Sequence, residues 1–319
     1  MQAPIAVTLG DPAGIGPEVC RVALADADRD ARFRLYGPAL LVNEIAQVHP
    51  ACEPVATSEG LDGIITGQYT QASGAASVKS LLAAAQELAD GRVAGLVTGP
   101  ISKRALWEAG LPYPGQTELL AAMTGARRFA MMLAGPRLRV VLATTHLPLG
   151  DVQKALDQDK VFEAGRLCAE FLRNFLAIQK PRLGVLGLNP HASDGGRFGD
   201  EEARVIAPAV ARLVAAGIDA TGPIPADTAF YRAACGAFDA LVAMYHDQGL
   251  GPLKLIHFAD AVNITLGLPR PRFAPDHGPA FDIAGKHLAD PSSMREAVAL
   301  AVRATISARE IIDNRTEIR

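Results

Sequence analysis

Cysteine is scarce in this chain, with four in 319 residues, at positions 20, 52, 168 and 235. They form no C-x-x-C and no close pair, which argues against a cysteine-rich zinc site or a disulfide scaffold and predicts a reducing, cytoplasmic setting. Aromatic residues make up only 5%, with a single tryptophan, Trp107. No window approaches the roughly 18 consecutive apolar residues that a membrane-spanning helix needs. The start, Met1-Gln2-Ala3-Pro4, has no basic segment, and the apolar run 5–9 is too short for a secretory signal. Charge of one sign is not in excess either: 31 Lys and Arg against 34 Asp and Glu give −3. That balance leaves no electrostatic footprint for nucleic acid or for an anionic membrane as a partner. Repeats, low-complexity tracts and flexible linkers are absent from the text as well.

What is there is a hydrophobic content of 49%, which excludes a disordered chain. At about 150 residues per domain, the length allows two domains or one large one. Short Val-, Ile- and Leu-rich runs at 5–9, 33–36, 94–97, 129–133, 138–144, 183–188, 241–244 and 261–265 predict strands buried on both faces. Amphipathic segments at 17–27, 73–90, 159–178, 201–216 and 292–312 predict helices between them. Pro17 suits a first helical turn, and Asp159 is a candidate N-cap for the helix carrying Phe162, Leu167, Phe171 and Phe175. The alternation predicts an α/β fold with a mostly parallel sheet.

Ligands of open parallel sheets bind beyond the carboxyl ends of the strands. The segments at those positions are polar and shaped by Gly and Pro: 10–18, 98–103, 145–146, 189–191 and 245–249. Three of them deliver a histidine, His146, His191 and His246. A single histidine after a strand is more often a capping or surface residue. Three at equivalent places fit a divalent ion with open coordination positions, as in a catalytic site. His49, His257 and His287 lack such a context and read as surface or packing residues.

Other segments leave two readings open. The glycine-rich loop 10–16 fails G-x-G-x-x-G and is either a tight strand-to-helix turn or a ligand contact. Residues 74–80 lack the glycine before Lys79 and read as a helix start, not a P-loop. The stretch 275–286 is either a structured connection or a set of backbone N–H groups that, with Asp282, holds a polar cofactor. Lys254, Asn263 and Arg272 are each ordinary alone, as surface charges or a capping amide. Together, beside a metal, they could bind the anionic groups of a small substrate.

Across essentially its whole length the chain resembles the 4-hydroxythreonine-4-phosphate dehydrogenase family of pyridoxal phosphate biosynthesis. The resemblance rests on residues 10–18, 98–103, 144–149, 187–192, 225–228, 245–250, 262–269 and 276–285. Loops 10–18 and 276–286 are also similar to those of isocitrate and isopropylmalate dehydrogenases. The resemblance implies two α/β/α domains with a cleft between them: a nucleotide-side domain of residues 1–120 and 275–319, and a metal- and dimer-side domain of residues 121–274.

It further implies His146, His191 and His246 as ligands of zinc, magnesium or cobalt. Gln116, Thr117, Lys254, Asn263 and Arg272 become substrate-binding residues, and His277, Gly278 and Asp282 contacts to NAD or NADP. Lys254 and Asp247 become the candidate proton carriers, in a homodimer whose active sites lie at the subunit interface. The implied reaction is oxidation of 4-phosphohydroxy-L-threonine with decarboxylation to 3-amino-2-oxopropyl phosphate.

Departures from the family pattern cluster. The family usually reads Gly-His-Thr-Glu where Gly115-Gln116-Thr117-Glu118 stands here. Hydroxyl residues are also usual where Phe273, Ala274 and Pro279 stand. A related dehydrogenase of a phosphorylated threonate or erythronate, or of an aromatic cis-dihydrodiol carboxylate, is therefore the second expectation, with Phe273 as a possible apolar wall. A non-catalytic metal- or nucleotide-binding protein is the third.

Overall fold

The computed structural model describes residues 3–317, and the side chains of residues 3–308. Met1 and Gln2, on which the expectation about a leader partly rests, and the last two residues of the first-domain expectation lie outside the described residues. The chain divides into two compact units, Met1–Arg127 with Leu268–Ile306 and Arg128–Gly267 with Ser307–Arg319. Among the described residues no helix is long and apolar enough to cross a membrane.

The first unit opens as β1 (Ile5–Thr8), α1 (Gly16–Ala25), β2 (Phe33–Pro38), α2 (Ala39–Ile45), β3 (Cys52–Ser58), α3 (Gln71–Ala89), β4 (Gly95–Thr98), α4 (Lys103–Glu108) and α5 (Gln116–Thr124). The second contains β5 (Ala130–Ala134), β6 (Arg139–Leu142), α6 (Leu149–Ala155), α7 (Gln158–Phe175), β7 (Arg182–Leu186), α8 (Ala207–Ala215), β8 (Asp219–Ile224), α9 (Ala226–Ala234), β9 (Ala240–Ala243), α10 (His246–Ile256) and β10 (Val262–Leu266). The chain then returns to the first unit with β11 (Arg272–Pro275) and with α11 (Ser292–Glu317) as far as Ile306.

In the first unit the strands run in the order β3-β2-β1-β4-β11, all parallel. In the second the order is β10-β5-β6-β9-β7-β8. There β6, β9, β7 and β8 are parallel, while β5 pairs antiparallel with both β10 and β6. The α/β class expected from the alternation is the one observed, and parallel pairing dominates.

Local chemistry explains where several elements begin. Thr70 and Ser73 form a reciprocal capping box at the start of α3. Leu81, Ala84, Ala85 and Leu88 of that helix then pack with Leu96, Leu106, Leu119 and Leu120 into the first unit's core. The second unit's core joins Leu133, Val140 and Leu142 to Phe230, Leu241, Leu250 and Leu253. The N-cap of helix α7 lies two residues before the expected one. Asp157, in an extended conformation, accepts from the Lys160 N–H at 2.8 Å, while Asp159 is already helical and pairs with Arg212 at 2.8 Å. The predicted helix 201–216 begins as a π-helical turn, Glu202–Ile206, before α8.

Strands β3, β8 and β11 were not expected from the text. The first two are outermost in their units' strand orders and carry exposed polar positions instead of an apolar run. The third is short, follows Pro271 and begins with an arginine. Residues 245–249, read from sequence as a polar loop, form the N-cap, Tyr245, and the first turn of α10. Gly249, Gly251 and Pro252 there resemble turn residues, yet a Cβ on Gly249 would lie 2.9 Å from Leu142 and Val140. The glycine serves close helix-to-sheet packing and not a turn.

Close approach also shapes the first strand-to-helix turn. A Cβ on Gly16 would sit 2.0 Å from the Leu9 carbonyl oxygen. Gly16→Ala should therefore lower the unfolding free energy by about 1–3 kcal/mol, because the backbone must shift to admit a methyl group. Urea denaturation of both proteins reads this, and equal midpoints would show that the turn yields without cost.

Candidate metal and substrate site

Strands β6, β9 and β7 lie side by side and parallel, with Val140 opposite Leu241, Leu142 opposite Ala243, and Val185 opposite Val242. Their carboxyl ends therefore emerge together. Beyond them the chain carries His146, His246 and His191 respectively. The rings of His146 and His246 lie with centroids 5.5 Å apart, tilted at 43° to each other. Thr144, buried, holds these two strand ends together: its N–H and its hydroxyl both donate to the Met244 carbonyl, at 3.2 and 2.7 Å.

His246 begins α10, and its Nδ1 lies 2.7 Å from the Asp247 carboxylate. A carboxylate on one ring nitrogen fixes the tautomer and leaves Nε2 as the lone-pair donor, the usual arrangement behind a metal-binding imidazole. The two paired imidazoles thus fit a borderline ion such as zinc or cobalt in donor chemistry. His191 stands apart from this pair. It lies in a tight turn, Pro190–Asp194, where residues 191–194 all adopt positive φ between 47° and 68°. Among the described residues no three His, Cys, Asp or Glu side chains are grouped so that they could hold an ion. The structure joins two of the three expected ligands and places the third on the neighbouring strand end.

The His191 turn is anchored from below. Glu202, 3% exposed, accepts through Oε1 from the N–H groups of Leu188 and Asn189 at 2.8 and 2.7 Å. The Asn189 amide donates to Glu201 at 2.6 Å and to Glu202 at 2.9 Å, and Gln153 also donates to Glu201. Two buried carboxylates are tolerated because donors surround them.

Lys254 lies half-buried on α10, seven residues beyond Asp247 and so on the same helical face. Asn263 is on β10, opposite Leu133, and its Oδ1 is buried without a hydrogen-bond partner. An orphaned acceptor costs free energy unless a ligand satisfies it.

The remaining predicted residues belong to the first unit. Arg272 opens β11 and is only 4% exposed, so the alternative of a solvated surface charge is wrong for it. Its Nε and Nη2 donate to the Thr98 hydroxyl at 2.9 and 2.6 Å. Burial pushes its guanidinium down to about 10, against the opposing pull of Glu118, so the group stays charged at neutral pH. That interaction relates the start of β11 to the start of α5, where Gln116 and Thr117 follow Gly115.

Loop 10–18 packs on loop 276–286: the Ile15 N–H donates to the Pro279 carbonyl at 2.8 Å, and the Gly285 N–H donates to Glu18. His277 Nε2 is buried without a partner, as is Glu18 Oε2. Gly278 and Asp282 are exposed. Asp11 is fully buried, and burial raises its carboxyl despite hydrogen bonds from the Ala13 N–H and the Ser73 hydroxyl.

Asp11, Thr98, Thr144, Glu201 and Glu202 were not singled out from sequence. Their roles are contacts to other segments; Asp11, Thr98 and Thr144 fall within segments the sequence marked, but nothing local pointed to Glu201 and Glu202. His49 and His257 are packing residues, as expected, at 2% and 3% exposure. Phe273 points into the core, fully buried opposite Val97. It therefore offers no apolar wall to a ligand, and the argument for an aromatic substrate loses its residue.

Fold and site together define an α/β protein with paired imidazoles at the carboxyl ends of parallel strands and an arginine buried at the start of another strand. The family model described as pyridoxal phosphate biosynthetic protein PdxA matches residues 20–301, and the chain belongs to that family. It is 44% identical to the 4-hydroxythreonine-4-phosphate dehydrogenase of Geobacter metallireducens, over 93% of this chain and 94% of that one. A crystal structure of 4-hydroxythreonine-4-phosphate dehydrogenase from Klebsiella pneumoniae superposes with a TM-score of 0.84 at 37% identity, covering 95% of this chain and 99% of that one. A terephthalate 1,2-cis-dihydrodiol dehydrogenase from Burkholderia xenovorans follows at 30% identity and a TM-score of 0.72, covering 94% and 98%.

The anchor of the His191 turn has a pH consequence. The amide of Gln153 foremost, and that of Asn189, hold the Glu201 carboxyl below its usual range against the effect of burial. A carboxylate depressed in the folded state stabilises fully above its unfolded pKa of about 4.3 and loses that contribution as pH falls through the folded value. Unfolding free energy should therefore fall as pH drops from about 5 toward 3. Glu201→Gln should flatten the slope in urea titrations at stepped pH, and an unchanged slope would remove Glu201 as its source.

Proposed function

We propose that this chain is an NAD(P)-dependent dehydrogenase that oxidises 4-phosphohydroxy-L-threonine and decarboxylates it to 3-amino-2-oxopropyl phosphate, in pyridoxal 5'-phosphate biosynthesis. The observation that carries this reading is the His146–His246 pair beside Asp247 at adjoining strand ends, within a chain of this family. The higher identity to relatives named for this activity, 44% against 30% for the dihydrodiol enzyme, favours it over the aromatic alternative. The burial of Phe273 points the same way.

His146, His191 and His246 are the proposed ligands of one divalent ion, zinc, magnesium or cobalt. Bound there, the ion would acidify the substrate hydroxyl, and the nicotinamide of NAD or NADP would accept the hydride from its carbon. The chain's own residues do the rest. Arg272, charged and buried, holds a substrate anion, with Gln116 and Thr117 at the helix start as further contacts. Asn263 turns its unsatisfied Oδ1 to a substrate donor. Lys254 and Asp247 are the proposed proton carriers: one takes the hydroxyl proton, and one returns a proton to the carbon that keeps the electron pair when CO2 leaves. His277, Gly278 and Asp282 contact the nucleotide, His277 through its unpartnered Nε2. The first unit is then the nucleotide side and the second the metal and dimer side.

A homodimer in the cytoplasm is part of the same proposal. Leu147 and Leu149, just after His146, and Leu255 and Phe258, around the end of α10, are large apolar side chains at 43%, 70%, 88% and 84% exposure. Such a surface suits burial against a second copy. Light scattering should give twice the chain mass, and a monomer at micromolar concentration would exclude the shared-site arrangement.

Reduced cofactor formation should be fastest with 4-phosphohydroxy-L-threonine when compared with phosphothreonate, phosphoerythronate and a dihydrodiol dicarboxylate. Exhaustive chelation should abolish it, zinc or cobalt should restore it, and His191→Ala should lower it by about 100-fold or more while thermal unfolding stays near wild type. Full turnover after chelation would sink the metal reading. Preference for another substrate would reassign the acid and leave the oxidation chemistry standing.

A further inference from the structure

We propose that Gln248 is a positioning residue whose side-chain amide sets the spacing between the strand ends carrying His246 and His191; its consequence for catalysis rests on the metal reading above. Gln248 lies in the first turn of α10, two residues after His246. Its Oε1 accepts from the Met244 N–H at 2.7 Å, and its Nε2 donates to the Gly187 carbonyl at 2.7 Å. Met244 is the first residue beyond β9, and Gly187 the first beyond β7. The backbone ladder between those strands has its last register pair at Val185 and Val242. Past that point no register pair joins the two segments, and the amide of Gln248 serves as one more rung, made by a side chain.

Both hydrogen-bonding groups of Met244 are thereby held, its N–H by Gln248 and its carbonyl by Thr144. Gly187 is held likewise, its carbonyl by Gln248 and its N–H by the Ile224 carbonyl at 2.9 Å. The next two amides, Leu188 and Asn189, are taken by Glu202. A chain of contacts thus runs from the His146 strand end through Met244 and Gln248 to the turn of His191. Glutamine is suited to the central place because one planar group supplies an acceptor and a donor. With Oε1 and Nε2 both engaged, Gln248 acts through the histidines and touches no ligand itself.

Two variants separate the bonds. Gln248→Glu keeps the acceptor for Met244 but faces the Gly187 carbonyl with an oxygen that cannot donate. Gln248→Met removes both bonds, and if it fails to fold, Gln248→Glu decides. The first readout is hydrogen exchange over residues 186–194, which needs no metal. We expect it to quicken by about tenfold or more in both variants, while exchange in α7 stays at the wild-type rate. The second is titration of the full-length protein with cobalt(II), followed by its visible absorption. Affinity should fall by about 10- to 100-fold with an altered band, as when groups that orient metal ligands are lost.

Unchanged exchange together with unchanged cobalt affinity overturns the proposal. Weakened affinity with unchanged exchange also overturns it, because Gln248 would then act at the ion directly. Should the wild-type chain take up no cobalt, the metal reading fails by itself, and exchange alone decides on Gln248: quickened exchange supports the bridge, and wild-type exchange removes it.

Discussion

Three strands of the second unit, β6, β9 and β7, run parallel in adjoining positions, and that alignment is the constraint on which the candidate site depends. Parallel pairing forces all three carboxyl ends to one end of the sheet, so segments far apart in sequence emerge as neighbours. The approach of His146 to His246 at 5.5 Å follows from it. Backbone pairing alone stops short of the histidines. Side chains continue the work: Thr144 joins the first two strand ends, and a pair of buried glutamates fixes the backbone leading to the third. The price of that last anchor is two carboxylates out of water, and it is met by donors from Asn189, Gln153 and the backbone.

Backbone strain sits at the same place. Four successive residues from His191 to Asp194 hold positive φ, a conformation that residues with a Cβ avoid unless their surroundings impose it. The anchored carboxylates hold Leu188 and Asn189, the backbone that leads into this run. The third expected ligand is thus carried on a positive-φ turn, set on a strand neighbouring the one that bears His246.

The first unit solves a different problem, that of keeping charge inside. Arg272 occupies the first position of β11, where a strand would ordinarily bury an apolar side chain, and the next residue, Phe273, does so completely. Alternation along a strand explains the pair: successive side chains face opposite sides, one toward Thr98 and the other into the core. A guanidinium weakened by burial yet charged at neutral pH is suited to binding an anion brought to it. Nearby in sequence, loop 276–286 is clasped by loop 10–18 and leaves a buried nitrogen of His277 unpartnered.

The sequence by itself determined the α/β class, eight of the eleven strands of the described residues and the strand-end histidines, because apolar runs and the polar breaks after them are local signals. It also carried the family resemblance in loops whose glycines and prolines are read directly. It did not reveal β3 and β8, whose half-exposed faces lack an apolar run, the short β11, which begins with an arginine, or the helix starting at His246, whose glycines and proline mimic a turn. The burial of Phe273, which the sequence leaves open as an apolar wall, is not legible either, because its face of β11 is not written in the neighbouring letters. Which histidines meet, which carboxylates hold a turn and which arginine is buried were decided only by tertiary structure. Each of those depends on strand order and register, and those are set by packing between residues far apart in the chain.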